Sequence, residues 1–182
     1  MRFTECVKAD LRRNFTIEVS SREEPRPAQL WRRLLSPRFT PVLFVRVAQY
    51  ASLHGLGFVG KIFAALNLTV FGIEVSPKCD IGPGLYLPHT VGTVIGATRI
   101  GANAIIFQGV TLGAKEIDIR FDPLLRPVLE DNVTVGAGAK VLGGLALGSG
   151  SVVGANSVVT RDVMVGEVVV GIPARPIPVS NN

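Results

Sequence analysis

The stretch LEDNVTVGAGAKVLGGLALGSGSVVGANSVVTRDVMV, residues 129–165, repeats with a period of six. Leu129, Val135, Val141, Leu147, Val153, Val159 and Val165 stand at one strict spacing. Two places before each, from the second onward, the residue is usually small or apolar: Val133, Ala139, Leu145, Ser151, Ser157 and Val163. A period of six is neither the 3.6 of a helix nor the 2 of a strand. It fits a chain wound into a triangular prism, a parallel β-helix. Each coil is then three short strands, with one aliphatic side chain per strand pointing inward and small residues filling the corners. Asn103, Asn132 and Asn156, like glycine, tolerate the left-handed backbone such corners need. An antiparallel sandwich would call for hairpin turns of the Asn-Gly kind, and the sequence contains none.

Working outward, Val75, Ile81 and Leu87 keep the same period, as do Ile100, Ile106 and Leu112. The step from Leu87 to Ile100 is thirteen, which places one inserted residue near Thr93, just after His89. The period also breaks at AKEIDIRFDPLLR, between Gly113 and Pro127. A charged insertion of this kind is expected to form a loop on one face of the prism. The front of the chain is built differently. Residues 3–14, 28–35, 41–55 and 57–67 suggest helices, with the polar, proline-bearing SSREEPRPAQ as a linker. The organisation expected is a helical region over 1–70 that caps the first coil. A mainly β prism follows over 71–177 with a loop at 114–127, and a short tail occupies 178–182.

Of the 182 residues, 47% are apolar and only 7% aromatic, so the core must be aliphatic. The net charge is +5, with arginines concentrated at the front: Arg12, Arg13, Arg22, Arg26, Arg32, Arg33, Arg38 and Arg46. No basic stripe interleaved with aromatics is present, which argues against a nucleic-acid partner. Cys6 and Cys79 have no CxxC or metal-ligand spacing and read as reduced thiols of a cytosolic protein. MRFTECVKADLRR lacks the apolar core of a secretory signal. GLGFVGKIFAALNLTVFGI, residues 55–73, approaches membrane-span length, but its glycines, Asn67 and β-branched end favour a buried helix followed by a strand.

Few residues offer chemistry. His54 ends a helix before Gly55 and suits a cation at the carbonyl end. His89 lies two places after an inward Leu87, near a corner and beside the insertion. A general base needs a partner for its second ring nitrogen. Glu74, fifteen residues earlier, falls about one eighteen-residue coil away and close in angle, so a His89–Glu74 pair is plausible from spacing. A solvent-facing histidine is the alternative.

GIEVSPKCDIGPGLYLPHTVGTVIG, IIFQGVTLGA, RPVLEDNVTVGAGAKVLG and GANSVVTRDVMVGEVVVGIPARPI together resemble the serine O-acetyltransferase branch of the hexapeptide-repeat acyltransferases. The resemblance runs from about Leu30 to Ile177. It rests on the ordered set L-x-H-x-x-G, Q-x-V-T-L-G, G-A-G-A-K-x-L-G and G-x-P-A-R. It implies a left-handed β-helix and an acetyl-CoA-dependent, metal-free transferase. His89 would be the general base and Glu74 its supporting carboxylate, in place of the family's aspartate. Gly113 and Ala114 would offer amides to the pantetheine arm or the oxyanion. Ala137, Gly138, Ala139 and Lys140 would form the coenzyme A groove, and Arg175 would meet the nucleotide phosphates. A homotrimer, or a dimer of such trimers, and a cytoplasmic location are implied too.

The sequence also departs from that pattern. Pro88 stands where the family has an aspartate that meets the amino group of serine. The central loop reads Leu125-Arg126-Pro127, without the family's histidine before the proline, and leaves Arg126 as the candidate acceptor contact. The helical region lacks the family's Arg-Asp-Pro-Ala segment. Serine is the leading acceptor from overall similarity; a sugar, polysaccharide precursor or secondary metabolite is the alternative. A non-catalytic scaffold or a three-histidine zinc enzyme on the same prism are competing classes. With two histidines, one outside the prism, the zinc enzyme is disfavoured.

Overall fold

The computed structural model describes residues 3–19, 33–34 and 36–178. Most of the helix expected over 28–35 lies outside the described residues. Among the described residues the helices with both ends defined are α1 (Phe3–Val19), α2 (Thr40–Leu53) and α3 (Gly57–Phe71). Pro41 opens α2, where its missing N–H costs nothing. Val42, Val45 and Ala48 form its buried face. Helix α3 packs against α2 through Phe44, which meets Phe63 and Phe71 edge-on at 5.1 and 5.9 Å. It ends at Gly72, whose left-handed φ of 63° closes the last turn by donating to Leu68 O.

Two expectations change here. The β-branched LTVF continues α3 instead of starting a strand, because tertiary contact on α2 outweighs β-propensity. Nor is α3 buried all round: Phe58 is 78% exposed and Val70 63%. No helix among the described residues is long and apolar enough to cross a membrane.

From Ile73 onward the described residues form fourteen short strands. They are β1 (Ile73–Val75), β2 (Asp80–Ile81), β3 (Thr93–Ile95), β4 (Arg99–Ile100), β5 (Ile105–Ile106), β6 (Thr111–Gly113), β7 (Val128–Leu129), β8 (Thr134–Val135), β9 (Lys140–Leu142), β10 (Ala146–Leu147), β11 (Val152–Val153), β12 (Val158–Val159), β13 (Val168–Val170) and β14 (Arg175–Pro176). They stack as three sheets in the orders β1-β3-β6-β9-β12, β2-β4-β7-β10 and β5-β8-β11-β13-β14. All pairs are parallel except β13–β14. Val128 lies beside Ala146, Thr134 beside Val152 and Lys140 beside Val158, each eighteen apart. This is the left-handed hexapeptide β-helix. Ile100, Ile106, Leu112, Leu129, Val135, Val141, Leu147 and Val153 are fully enclosed, each stabilising by about 1.5–3 kcal/mol.

Asn103, Asn132 and Asn156 take φ of 59°, 60° and 55° at corners, as their residue type suggested. The seventh hexad position differs. Val165 is 72% exposed, and Val163 (3%) fills the core instead. Its isolated bridge to Leu147 spans sixteen residues, so the last coil is shorter.

The irregularity near His89 is also finer than a single insertion. The inward residue of β3 is Ile95, aligned with Leu112. Leu87 to Ile95 is therefore eight residues, and Ile95 to Ile100 only five. The corner bearing His89 is widened by two residues, and the next one is tightened by one.

Candidate active site

His89 sits exposed on that widened corner, between Leu87, which is fully buried, and β3. The next residue, Thr90, is buried. Thr90 Oγ donates to the Phe71 carbonyl at 2.7 Å, and the Gly92 amide donates to Gly72 O at 2.9 Å. Thr93 N closes a turn on Thr90 O at 3.1 Å. The corner is thus tied to the C-terminal end of α3, and the imidazole projects outward.

Glu74 lies on β1, with Val94 of β3 as its ladder partner, and its side chain is exposed. Along the same row stand Val94, Thr111, Lys140 and Val158. The carboxylate is one coil from the His89 corner, as the spacing suggested. Among the described residues, however, no hydrogen bond or ion pair joins Glu74 to His89.

Below His89 the corner continues as a column: Gly92, then Gly109, Gly138 and Asn156. Gly109 N donates to Val91 O, Gly138 N to Gln108 O and Asn156 N to Ala137 O. Ala137 and Gly138 are half-buried on this column. Gly138 takes a left-handed φ of 72°, which favours glycine, and a Cβ there would fall 2.1 Å from Asn156 Oδ1. Arg175, on β14, is exposed at the far end of the prism, with one guanidinium nitrogen donating to Ala174 O.

Three further residues selected from the sequence make contacts within the chain. Ala139 is fully buried and belongs to the core, so its methyl is closed to any ligand. The Lys140 ammonium donates back to Gly109 O, on the same column. The Arg126 guanidinium holds the 114–127 loop with three of its five N–H groups. Nε donates to Asp118 Oδ2 at 2.8 Å, Nη2 to Asp118 O at 3.0 Å and Nη1 to Gly96 O at 3.0 Å. Its plane lies 4.1 Å from the Phe121 ring centre. Gly96 makes this approach possible, since a Cβ there would sit 2.8 Å from Nη1.

Gly113 and Ala114 stand where β6 runs into the same loop, half-buried. Gly113, Ala114 and Arg126 therefore occupy the corner between the first and second sheets. His89, Ala137 and Gly138 occupy the corner between the third and first. Within one chain the two groups are separated by a whole face of the prism.

Asp118 went unread from sequence. Partial desolvation raises its pKa, but hydrogen bonds from the Asp122 amide and Arg126 outweigh this and hold it below its ordinary value. His54 caps α2 as expected, its ring 3.9 Å from that of Tyr50 and Nδ1 2.8 Å from Tyr50 O. It lines a cavity of about 910 Å³ between α1, α2 and the Pro77–Gly82 corner, a cavity that does not include His89. No group of three or more His, Cys, Asp or Glu side chains suited to a metal ion occurs among the described residues.

Eighteen-residue coils with a histidine on an irregular corner define a hexapeptide-repeat transferase. Residues 126–161 match the bacterial transferase hexapeptide model (six repeats), and residues 92–115 the hexapeptide repeat of succinyl-transferase. The chain is 36% identical over 166 residues to the serine acetyltransferase of Helicobacter pylori, covering 90% of this chain and 95% of that protein. Among solved structures it resembles Neisseria gonorrhoeae serine acetyltransferase in complex with serine (TM-score 0.79, 31% identity, 96% of this chain and 68% of that one). It also resembles a serine acetyltransferase in complex with CoA (TM-score 0.81, 26% identity, 96% and 69%). The chain belongs to the serine acetyltransferase family. Six other curated relatives are longer, and the chain spans 53–59% of their length.

Proposed function

We propose that this chain is a serine O-acetyltransferase that moves the acetyl group of acetyl-CoA directly to the acceptor hydroxyl. The near full-length match to the Helicobacter enzyme carries this reading, and the fold shared with a CoA complex supports it. His89 takes the proton from the hydroxyl as its oxygen attacks the thioester carbonyl. The protonated imidazole then returns that proton to the leaving thiolate. Glu74, one coil away on the adjoining face, is assigned to orient and charge-balance the ring once substrate closes the gap. Hydrogen bonds in unliganded sites are often long and tighten only in the reacting complex.

The corner column from Gly92 through Gly138 to Asn156 is assigned to the acyl donor. Its half-buried Ala137 and Gly138 leave backbone accessible beside a pantetheine arm, and Arg175 at its end suits a phosphate. Gly113 and Ala114 lie on a different corner, so their amides reach a reacting carbonyl only from a neighbouring subunit. That separation supports a trimer in which the site lies between chains.

The test is direct. Purified protein is given acetyl-CoA with serine, homoserine or a sugar acceptor, and free thiol is followed. Turnover with serine, lost in His89→Ala, is the expected result. Turnover with only a sugar would replace the acceptor, a reading that Pro88 beside His89 and the half-exposed Leu125 in the loop favour. No turnover with any acceptor, together with no thermal stabilisation by coenzyme A, would overturn the enzyme reading.

A further inference from the structure

The widened corner poses a mechanical problem. Two extra residues lengthen the turn between Leu87 and Ile95, yet a general base must be held to a fraction of an ångström. The backbone ladder continues at Val91 and Gly92, and one side chain adds a tie to the end of α3. The Thr90 hydroxyl donates to Phe71 O at 2.7 Å, and Gly92 N donates to Gly72 O at 2.9 Å. Both acceptors are at the C-terminal end of α3, where helix carbonyls lack intrahelical partners. Thr90 is only 9% exposed while the adjacent His89 is exposed. The threonine is turned into the cap and the histidine out of it by the same short turn, which Thr93 N closes on Thr90 O.

We propose that Thr90 is a positioning residue for His89, its hydroxyl bolting the base-bearing corner to the end of α3. The proposal rests on the assignment of His89 as base. It gives the helical region a role in the reaction that does not require any helix residue to touch substrate. An alcohol suits this position, because the hydroxyl satisfies a helix-terminal carbonyl.

The test compares Thr90→Val, which keeps the shape, with Thr90→Ser, which keeps the hydroxyl. Full kinetics, melting temperature and coenzyme A binding would be measured for both. Loosening the corner is expected to lower kcat roughly tenfold or more in Thr90→Val, since a 1 Å misplacement can cost about a hundredfold. The KM for acetyl-CoA and coenzyme A binding stay within about twofold, and Thr90→Ser restores most of kcat. A merely structural threonine would lower melting temperature while leaving kcat of the folded enzyme unchanged, and that result overturns the proposal. Should Thr90→Val not fold, Thr90→Ala replaces it, and equal kcat for the Ala and Ser variants is refuting. His89→Ala separates the two readings. If it is inactive while Thr90→Val equals wild type, only the positioning role fails; if it is active, the base assignment fails.

Discussion

Removing the Asp10 carboxylate will separate the helical cap from the first coil. Asp10 is fully buried and Arg46 is 4% exposed. The carboxylate accepts from Arg46 Nε at 2.7 Å and Nη2 at 3.0 Å, and from the amides of Gly84 at 2.7 Å and Leu85 at 3.0 Å. Arg46 in turn donates to Ile81 O and Gly82 O, both at 2.6 Å. One carboxylate from α1 and one guanidinium from α2 thereby satisfy four backbone groups of the first coil. Asp10→Ala leaves a buried cation and two amides without their acceptor. Breaking such a pair costs about 3–5 kcal/mol. In a domain of this size each kcal/mol moves the melting point by about 2–4 °C, so a drop of about 6–20 °C is expected. Thermal unfolding followed by circular dichroism measures it. In the Asp10→Ala/Arg46→Met double variant the loss should be smaller than the sum of the singles, because no charge is stranded. A drop below about 3 °C for Asp10→Ala, or full additivity, would refute the argument that this pair fastens the cap.

Three further outcomes follow from the same geometry. Asn156 has a φ of 55° over Gly138, so Asn156→Gly should be tolerated, whereas Asn156→Val should cost about 1–2 kcal/mol by urea denaturation. Burial, then the charge of Asp80, pushes the Cys79 thiol up to about 12. A disulfide reagent near pH 8 should therefore label only Cys6 in the folded protein, and both thiols after denaturation. Asp118 is held below its ordinary value, so its contribution to loop stability is present above about pH 4 and disappears as the pH falls through its folded-state value. Trypsin at neutral pH should accordingly cut Asp118→Asn in the 114–127 loop faster than wild type.

What the sequence made legible was whatever repeats. The hexad positions from Ile100 to Val159 name the enclosed residues one by one, and the left-handed asparagines follow from corners that admit few other types. The misreadings share one cause: spacing reports the sum of local events. A step of thirteen from Leu87 to Ile100 conceals a corner gained by two residues and another shortened by one. Val165 kept the count while the last coil shortened, so Val163 took its place. Charges were harder still. Arg126 and Lys140 were visible as cations, but their partners, Asp118 with Gly96 O and Gly109 O, are set by three-dimensional neighbours with no periodic relation to them. LTVF carries strand-forming residues, yet contact of Phe71 with Phe44 extends the helix through it.

The prism is closed at both ends. Helices cover its first coil, and β14 turns back antiparallel on β13, with Pro176 and Pro178 unable to donate to a further strand. Between those ends the corner column advances in whole coils, about 4.8 Å at each step. The reach from the histidine to Arg175 is therefore a count, not a continuously adjustable length. Gain or loss of an eighteen-residue unit would lengthen or shorten this molecular ruler by one division while leaving the chemistry at each end as it stands.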